Sequence, residues 1–236
     1  MVLLFTALAP VFIILVYIYF RDKYEKEPIR ILVSGFIAGA LITIPIIFIE
    51  QFLSNYWQTK YSDVVPSLGS AAYSAFIVAA FTEEIFKYVA LFFLIWRNKH
   101  FNEPFDGIVY ATFISLGFAA VENLLYVLGN GLPTALIRAF TAVPAHTIFG
   151  ISMGYYFALA KFYPQNQTSN ILKAIIVPII LHGIYDFLLM SGNNLLLLLF
   201  IPYIIFLFII AFKKLQIAAK KNVLIETKLN NSEYEN

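Results

Sequence analysis

The chain has 236 residues, of which 61% are hydrophobic and only 13% are charged. A soluble domain carries about 25% charged residues, so a soluble globular enzyme is excluded. The 24 Phe and 15 Tyr supply too much apolar surface for a disordered chain. The net charge of +2 includes no long basic stripe, so nucleic acid is not an expected partner. Cysteine is absent, which excludes disulfides, thiolate metal ligands and a cysteine nucleophile.

Apolar segments long enough to cross a bilayer follow one another along the chain, since ~20 residues span the hydrocarbon core as a helix. The first segment is not preceded by basic residues, as a signal peptide would be, so it is expected to stay as a helix. The sequence thus predicts an all-α, polytopic membrane protein with about seven transmembrane helices. The seven segments cover residues 2–20, 31–49, 70–96, 107–128, 137–160, 171–190 and 194–212.

The distribution of basic residues predicts the orientation. Of the 16 Lys and Arg residues, 12 lie in the first, third and fifth loops and the C-terminal tail, and one lies in the other three loops. Because cytoplasmic loops are enriched in Lys and Arg, the N-terminus is expected outside and the C-terminus in the cytoplasm. We expect a transmembrane domain over residues 1–212 and a polar cytoplasmic tail over 213–236.

Ionisable side chains inside the predicted spans are confined to the third to sixth segments. A charge in mid-bilayer costs at least ~2.5–3.5 kcal/mol, so such groups are candidates for function. Counting ~1.5 Å of rise per residue, we expect them in one layer that extends from mid-bilayer into the outer half. With one neighbouring amide they are Glu83, Glu84, Lys87, Glu122, Asn123, Arg138, His146, His182 and Asp186.

Helical spacing predicts two local groupings. Lys87 follows Glu83 by four residues and Glu84 by three, so its ammonium can reach either carboxylate. The two adjacent glutamates point about 100° apart on a helix, which indicates different roles. His182 and Asp186 are four residues apart, so the carboxylate can hold one ring nitrogen and fix the tautomer.

Purely structural roles compete with chemical ones. Glu122 and His146 can each be explained as a hydrogen bond between helices, and Arg138 lies close enough to the interface to reach water. The Glu-Glu-x-x-Lys cluster is less easily explained in this way, because two carboxylates beside one lysine leave an acid uncompensated. That imbalance favours chemistry at the cluster.

The residue types exclude most protease classes. A His-Glu-x-x-His zinc helix and a pair of intramembrane aspartates are both absent. Ser152 lies in a Gly-x-Ser-x-Gly sequence, but within a predicted helix, where the strand-to-helix elbow cannot form and close helix packing is expected. Glutamate and histidine remain, as a general base on water and a donor to the developing oxyanion. No cofactor is expected, although these ligands leave a divalent metal such as zinc open.

Several sequence blocks, in order and together, resemble the PrsW family. The resemblance implies a glutamic-type intramembrane protease of the bacterial plasma membrane, related to the CAAX-processing proteases. It further implies a first, outer-side cut of a single-pass substrate, namely a membrane-anchored anti-sigma factor in a stress response. The blocks are residues 81–87 (FTEEIFK), 105–110 (FDGIVY), 117–123 (GFAAVEN), 138–146 (Arg to Pro-Ala-His), 182–187 (HGIYDF) and the 21–28 loop (RDKYEKEP).

The resemblance also assigns residues. Glu83 and Glu84 match the essential carboxylates, and His146 and His182 match the histidines of the second and third motifs. Asp186 stands where CAAX-type relatives carry Asn or Asp. Two departures favour PrsW over CAAX processing: Lys is at position 87 where the CAAX group has Arg one place later, and Ala, not Phe, is at position 142.

The leading hypothesis is an intramembrane peptidase. Glu83 or Glu84 activates water, His146 or His182 stabilises the oxyanion, and the remaining polar groups support them. One alternative is a proton-coupled transporter that uses the same carboxylates as a relay, although no inverted repeat is visible. Another is a non-catalytic scaffold or bacteriocin-immunity protein. The lipid bilayer is an expected partner, and the substrate's identity and the oligomeric state stay open.

Overall fold

A computed structural model describes residues 1–22, 25–61 and 64–234, and the side chains of the last helix as far as Lys221. This part of the chain is helical and contains no strand, which confirms the predicted all-α class. Six of its helical stretches are long and apolar enough to cross a membrane. The third predicted segment is also helical, as one continuous run over residues 67–95 that carries the Glu-Glu-x-x-Lys cluster.

In chain order, the described residues form ten α-helices, one π-helical segment, Ser74–Phe81, between α3 and α4, and one 3₁₀ turn, Pro164–Asn166, between α7 and α8. The α-helices are α1 Val2–Arg21, α2 Ile29–Tyr61, α3 Ser67–Tyr73, α4 Thr82–Ile95, α5 Pro104–Asn130, α6 Leu132–Phe140, α7 Ala142–Phe162, α8 Gln167–Met190, α9 Asn194–Leu198 and α10 Phe200–Tyr234.

Two helices run well beyond the apolar segments that predicted them. Helix α2 continues for 12 residues past position 49, to Tyr61, and α10 continues past the expected domain boundary at 212, to Tyr234. Backbone hydrogen bonds of a helix do not require apolar side chains. An apolar run therefore indicates which length of a helix is suited to the membrane, and not where the helix ends. Leu215 and Ala218 of α10 are still buried. The tail's compartment and its separation as a domain stay predictions.

The fifth predicted segment is two helices. The chain breaks at Thr141 (φ −121°, ψ −72°), between α6 and α7. Pro144 lies in the first turn of α7, where its missing N–H and fixed φ are tolerated, so the break allows a new helix to begin there. The short helix α6 packs against α1, α5 and α7.

Helix α5 is the centre of the bundle. Eighteen of its 27 residues are buried, and it contacts α1, α2, α4, α6, α7 and α10. Glycines let α2 lie directly against it: a Cβ on Gly39 would lie 1.9 Å from the Ile114 carbonyl oxygen, and one on Gly117 would lie 2.0 Å from that of Phe36. In a bilayer, such small residues allow helices to associate by close packing.

The Gly-x-Ser-x-Gly sequence of α7 packs that helix against the other side of α5. A Cβ on Gly154 would lie 2.1 Å from the Gly107 carbonyl oxygen, and one on Gly150 would lie 2.9 Å from the Ser115 Cβ. Ser152 is completely buried. The sequence therefore serves close packing between helices, as expected from its glycine spacing.

Candidate active site

A cavity of about 520 Å³ lies in one half of the bundle. Helix α2 lines one side of it, and the π-helical segment, α4, α5, α6, α7 and α8 line the others. The ionisable groups of the third to sixth predicted segments meet around this cavity. Four separate stretches of sequence thus contribute to one site.

Lys87 is the hub of the cluster. It is 1% exposed, and its Nζ lies 3.0 Å from Glu83 Oε2, 2.8 Å from Glu84 Oε1 and 3.3 Å from His146 Nδ1. An ammonium group has three N–H donors, so each donor has one acceptor. The same group lies 4.1 Å from the ring centre of Phe118, a favourable cation–π geometry.

The two adjacent glutamates have different surroundings, as their angular separation predicts. Glu83 lines the cavity, and its Oε2 is 3.9 Å from His182 Nδ1. Glu84 is fully buried behind it, and its Oε1 is shared by Lys87 and by His182 Nδ1 at 3.0 Å. Among the described residues, no group hydrogen-bonds to Glu84 Oε2.

His182 is held between two carboxylates. Its Nδ1 faces Glu84, and its Nε2 lies 3.2 Å from Asp186 Oδ2, the residue four positions later. A neutral imidazole can donate from only one nitrogen, whereas the cationic ring donates from both. Phe149 stacks on the ring with 4.7 Å between centroids and 18° between planes, which fixes its orientation.

His146 is held in one tautomer by its neighbours. Its Nδ1 faces the Lys87 ammonium, which can only donate, so Nδ1 accepts. Its Nε2 then carries the proton and donates to Glu122 Oε2 at 2.8 Å. The ring lies 5.3 Å from that of His182, nearly perpendicular to it. The two imidazoles therefore occupy adjoining positions at the cavity wall.

Arg138 joins α6 to α5 and, through Asn123, to α1. Its Nη2 donates to Glu122 Oε2 at 2.8 Å, and its Nε donates to Asn123 Oδ1 at 2.8 Å. The Asn123 amide in turn donates to the Ala7 carbonyl oxygen of α1 at 2.7 Å. The guanidinium also lies 4.1 Å from the ring centre of Tyr126. Arg138 is thus part of the site's ion pairs and does not extend away from it.

The π-helical segment lies directly before the two glutamates and packs against α8. The Thr82 hydroxyl donates to the Ile77 carbonyl oxygen, five positions earlier, at 3.3 Å. A π-helix has more residues per turn than an α-helix, so eight such residues rotate the face that the following helix presents. Segments of this kind are rare and frequently lie at functional sites.

Three contributors to the site were missed by the sequence reasoning. Phe118 and Phe149 lie four residues before Glu122 and three after His146, on the faces that those spacings share, so helical periodicity could have found them. Glu50 lines the cavity from α2, although it lies one position past the second predicted segment, 31–49. Only the packing of α2 reveals its place.

A metal ion can be tested against the donor set. Ligand atoms of Glu83, Glu84, His146 and His182 all lie within 4.8 Å of one another, and all four residues are buried. Carboxylates and imidazoles are the ligands of catalytic zinc sites, and Glu84 Oε2 has no hydrogen-bond partner among the described residues. The donor set therefore fits a divalent cation, which would share three of its four residues with the Lys87 ammonium.

Comparison with known proteins supplies the context. The family described as "PrsW family intramembrane metalloprotease" matches residues 27–212. The chain is 38% identical to Protease PrsW of Oceanobacillus iheyensis over 94% of its own length and 98% of the relative's. It is 38% identical to that of Geobacillus kaustophilus, over 81% of each chain, and 33% identical to that of Bacillus subtilis, over 92% and 95%. No solved structure matches it significantly.

Proposed function

Because the chain belongs to the PrsW family of intramembrane proteases, a multi-pass group of the bacterial cell membrane, we propose that it cleaves a single-pass membrane protein with a water activated by glutamate and histidine. The observation that carries this proposal is the meeting of Glu83, Glu84, His146 and His182 at one cavity. Each residue is buried, and each has a fixed hydrogen-bond partner.

Glu83 is the proposed general base. It lines the cavity, where water and a substrate carbonyl can enter, whereas Glu84 lies behind it. Lys87 holds the Glu83 carboxylate at 3.0 Å, which leaves the second oxygen to take a proton from water. A base must be within hydrogen-bond reach of the proton that it removes, and Glu83 meets that condition better than its neighbour.

Glu84 is proposed as a positioning residue. It holds both the Lys87 ammonium and the Nδ1 of His182, so its negative charge fixes the cation and the ring. Asp186 holds the other ring nitrogen. The two imidazoles at the cavity wall are the proposed donors to the oxyanion. The N–H that His146 Nε2 gives to Glu122, or that His182 Nε2 gives to Asp186, would be shared with the developing charge once substrate is bound.

A divalent ion bound by the four residues would supply Lewis-acid activation of water. The steps assigned above use only the chain's own groups, with Lys87 as the positive charge beside the base. Whether cleavage also requires zinc or another divalent metal is therefore tested separately, by measuring activity in the presence of a chelator.

The proposed substrate is a membrane-anchored regulator of the anti-sigma-factor kind, cut near the outer face. The cavity is lined by the C-terminal halves of α2, α5 and α8, and the predicted orientation puts those ends outside. The cavity also separates α2 from α6 and α8, which favours entry of a substrate segment between them.

The test uses purified protein in liposomes with a panel of single-span peptides, and mass spectrometry of the fragments. We expect cleavage in the outer half of the span by the unaltered protein, loss with Glu83→Gln, and partial loss with Glu84→Gln. Glu25→Gln, in an exposed loop, is the control and keeps full activity. Full cleavage by both glutamate variants would refute the proposal, and proton flux without cleavage would favour the transporter. The same reaction with a chelator reports the metal requirement.

A further inference from the structure

Glu50 is the one cavity-lining carboxylate without a partner among the described residues. Glu83 has Lys87, Glu122 has Arg138, and the remaining acid, Asp186, has an imidazole. For Glu50 the described part of the chain offers neither an ion pair nor a hydrogen bond, although the residue is half-buried. An uncompensated carboxylate in such a place is costly and is a candidate for function.

The position of Glu50 along α2 places it close to the reacting groups but outside them. It lies 21 residues after Ile29, where α2 begins, about 31 Å along the helix axis. It lines the same cavity as Glu83 and Glu122, yet it is not among the four residues whose ligand atoms cluster. A role in substrate contact fits this place better than a role in the chemistry.

The charge of the cavity wall indicates what would pair with Glu50. Four carboxylates face the cavity, and Arg138 is the single Lys or Arg side chain among the described residues that line it. That guanidinium is engaged by Glu122 and Asn123, and Gln51 and Ser54 beside Glu50 are neutral. A positively charged side chain of the substrate would give Glu50 the ion-pair partner that the other three carboxylates already have.

We propose that Glu50 is a specificity-determining residue, which pairs with a Lys or Arg side chain of the substrate on the outer side of the scissile bond. The inference rests on the proposed peptidase function and refines it. Glu50 lies one hydrocarbon thickness, ~30 Å, from the start of α2, which the predicted orientation puts at the cytoplasmic side. The basic residue of the substrate is therefore expected near the outer end of its span.

The experiment measures a ratio and not an absolute rate. Single-span peptides of the panel that are cleaved are remade with Lys, Gln or Glu at each of the four positions on the outer side of the cut. For the unaltered protein we expect kcat/KM for the best Lys peptide to exceed that of its Gln counterpart about tenfold, equivalent to about 1.4 kcal/mol. Glu50→Gln should reduce the ratio to near one.

The charge-reversed variant guards against misfolding. Glu50→Lys should prefer the Glu peptide over the Lys peptide, a gain that a damaged protein cannot produce. Asn55→Lys is the matched control: it makes the same change of net charge as Glu50→Gln, at an exposed position of α2 outside the cavity. It should keep the preference for Lys.

The outcomes separate the two proposals. If the unaltered protein cleaves no member of the panel, the peptidase proposal itself fails. If the unaltered protein cleaves peptides but Glu50→Gln keeps the preference for Lys, or if no preference exists, only the assignment of Glu50 is overturned. Its carboxyl group then lines the cavity without selecting the substrate.

Discussion

Replacing Lys87 with Met tests whether the buried cluster depends on its ammonium. Methionine has a similar length and no charge, so it fills the volume while leaving Glu83 and Glu84 without their cation. In the folded protein all three N–H donors of Lys87 have acceptors, at 3.0, 2.8 and 3.3 Å. The substitution thus removes three contacts and leaves two adjacent buried carboxylates without the ammonium that both of them contact, although Glu84 keeps its contact with His182.

The magnitude follows from the burial of both partners. Glu84 is 0% and Lys87 1% exposed, so solvent screening is small, and breaking a buried pair costs about 3–5 kcal/mol. At roughly 2–4 °C per kcal/mol for a chain of this size, the Tm should fall by about 10 °C. The double variant Lys87→Met/Glu84→Gln leaves a single buried carboxylate instead of two and should recover part of the loss.

The assay is thermal unfolding of the purified variants in detergent, followed by intrinsic fluorescence. Lys99→Met, in an exposed loop, is the control and should unfold like the unaltered protein. The reasoning is refuted if Lys87→Met keeps the original Tm, or if the double variant is less stable than the single one, because the carboxylates would then not depend on the ammonium.

Three further predictions concern one residue of the site and two positions away from it. Asp186→Asn should lower kcat on the order of 10²-fold with KM little changed, because His182 loses its second carboxylate. Steady-state kinetics on a cleaved peptide measures this, and an unchanged kcat would contradict it. Burial raises the pKa of Glu27, in the loop before α2, from 4.5 to about 10. The stabilising effect of the protonated carboxyl group is therefore complete below pH 4.5 and is lost as the pH rises towards 10. Glu27→Gln should flatten the decline of Tm between about pH 6 and 10, and an unchanged slope would be the contrary result. Gly117→Ala adds a Cβ 2.0 Å from a backbone oxygen of α2 and should cost about 1–3 kcal/mol in the same unfolding assay, whereas Gly129→Ala, with nothing within 4 Å, should cost nothing.

The helical membrane fold could be predicted because it depends on composition averaged over long windows. Apolar runs of ~20 residues are enough to indicate spans, and all the predicted ones are helical. Proline content does not reveal the break at Thr141, since Pro10, Pro45 and Pro178 lie inside unbroken helices. Whether a proline interrupts a helix depends on packing around it, which a single sequence does not contain.

The local pairs of the site could be predicted for a similar reason. Lys87 with its two glutamates, and His182 with Asp186, are spaced by three or four residues, and helical geometry alone brings them together. The contact of His146 with Lys87 joins residues 59 positions apart, so it required the packing of both α4 and α7 against α5. The π-helical turn had no sequence signal either, because its extra residue per turn depends on the neighbouring helix.

The charges of the site also explain why its assembly and its chemistry are coupled. No single helix carries a balanced set: α4 brings two carboxylates and one ammonium, α5 an acid, α6 a guanidinium, α7 an imidazole, and α8 an imidazole with an acid. In lipid each group alone would be costly, and the cost falls only when the helices meet. Folding therefore creates the fixed donors and acceptors on which the proposed activation of water depends, and it leaves the surplus negative charge at the cavity wall that the proposed basic side chain of the substrate would neutralise.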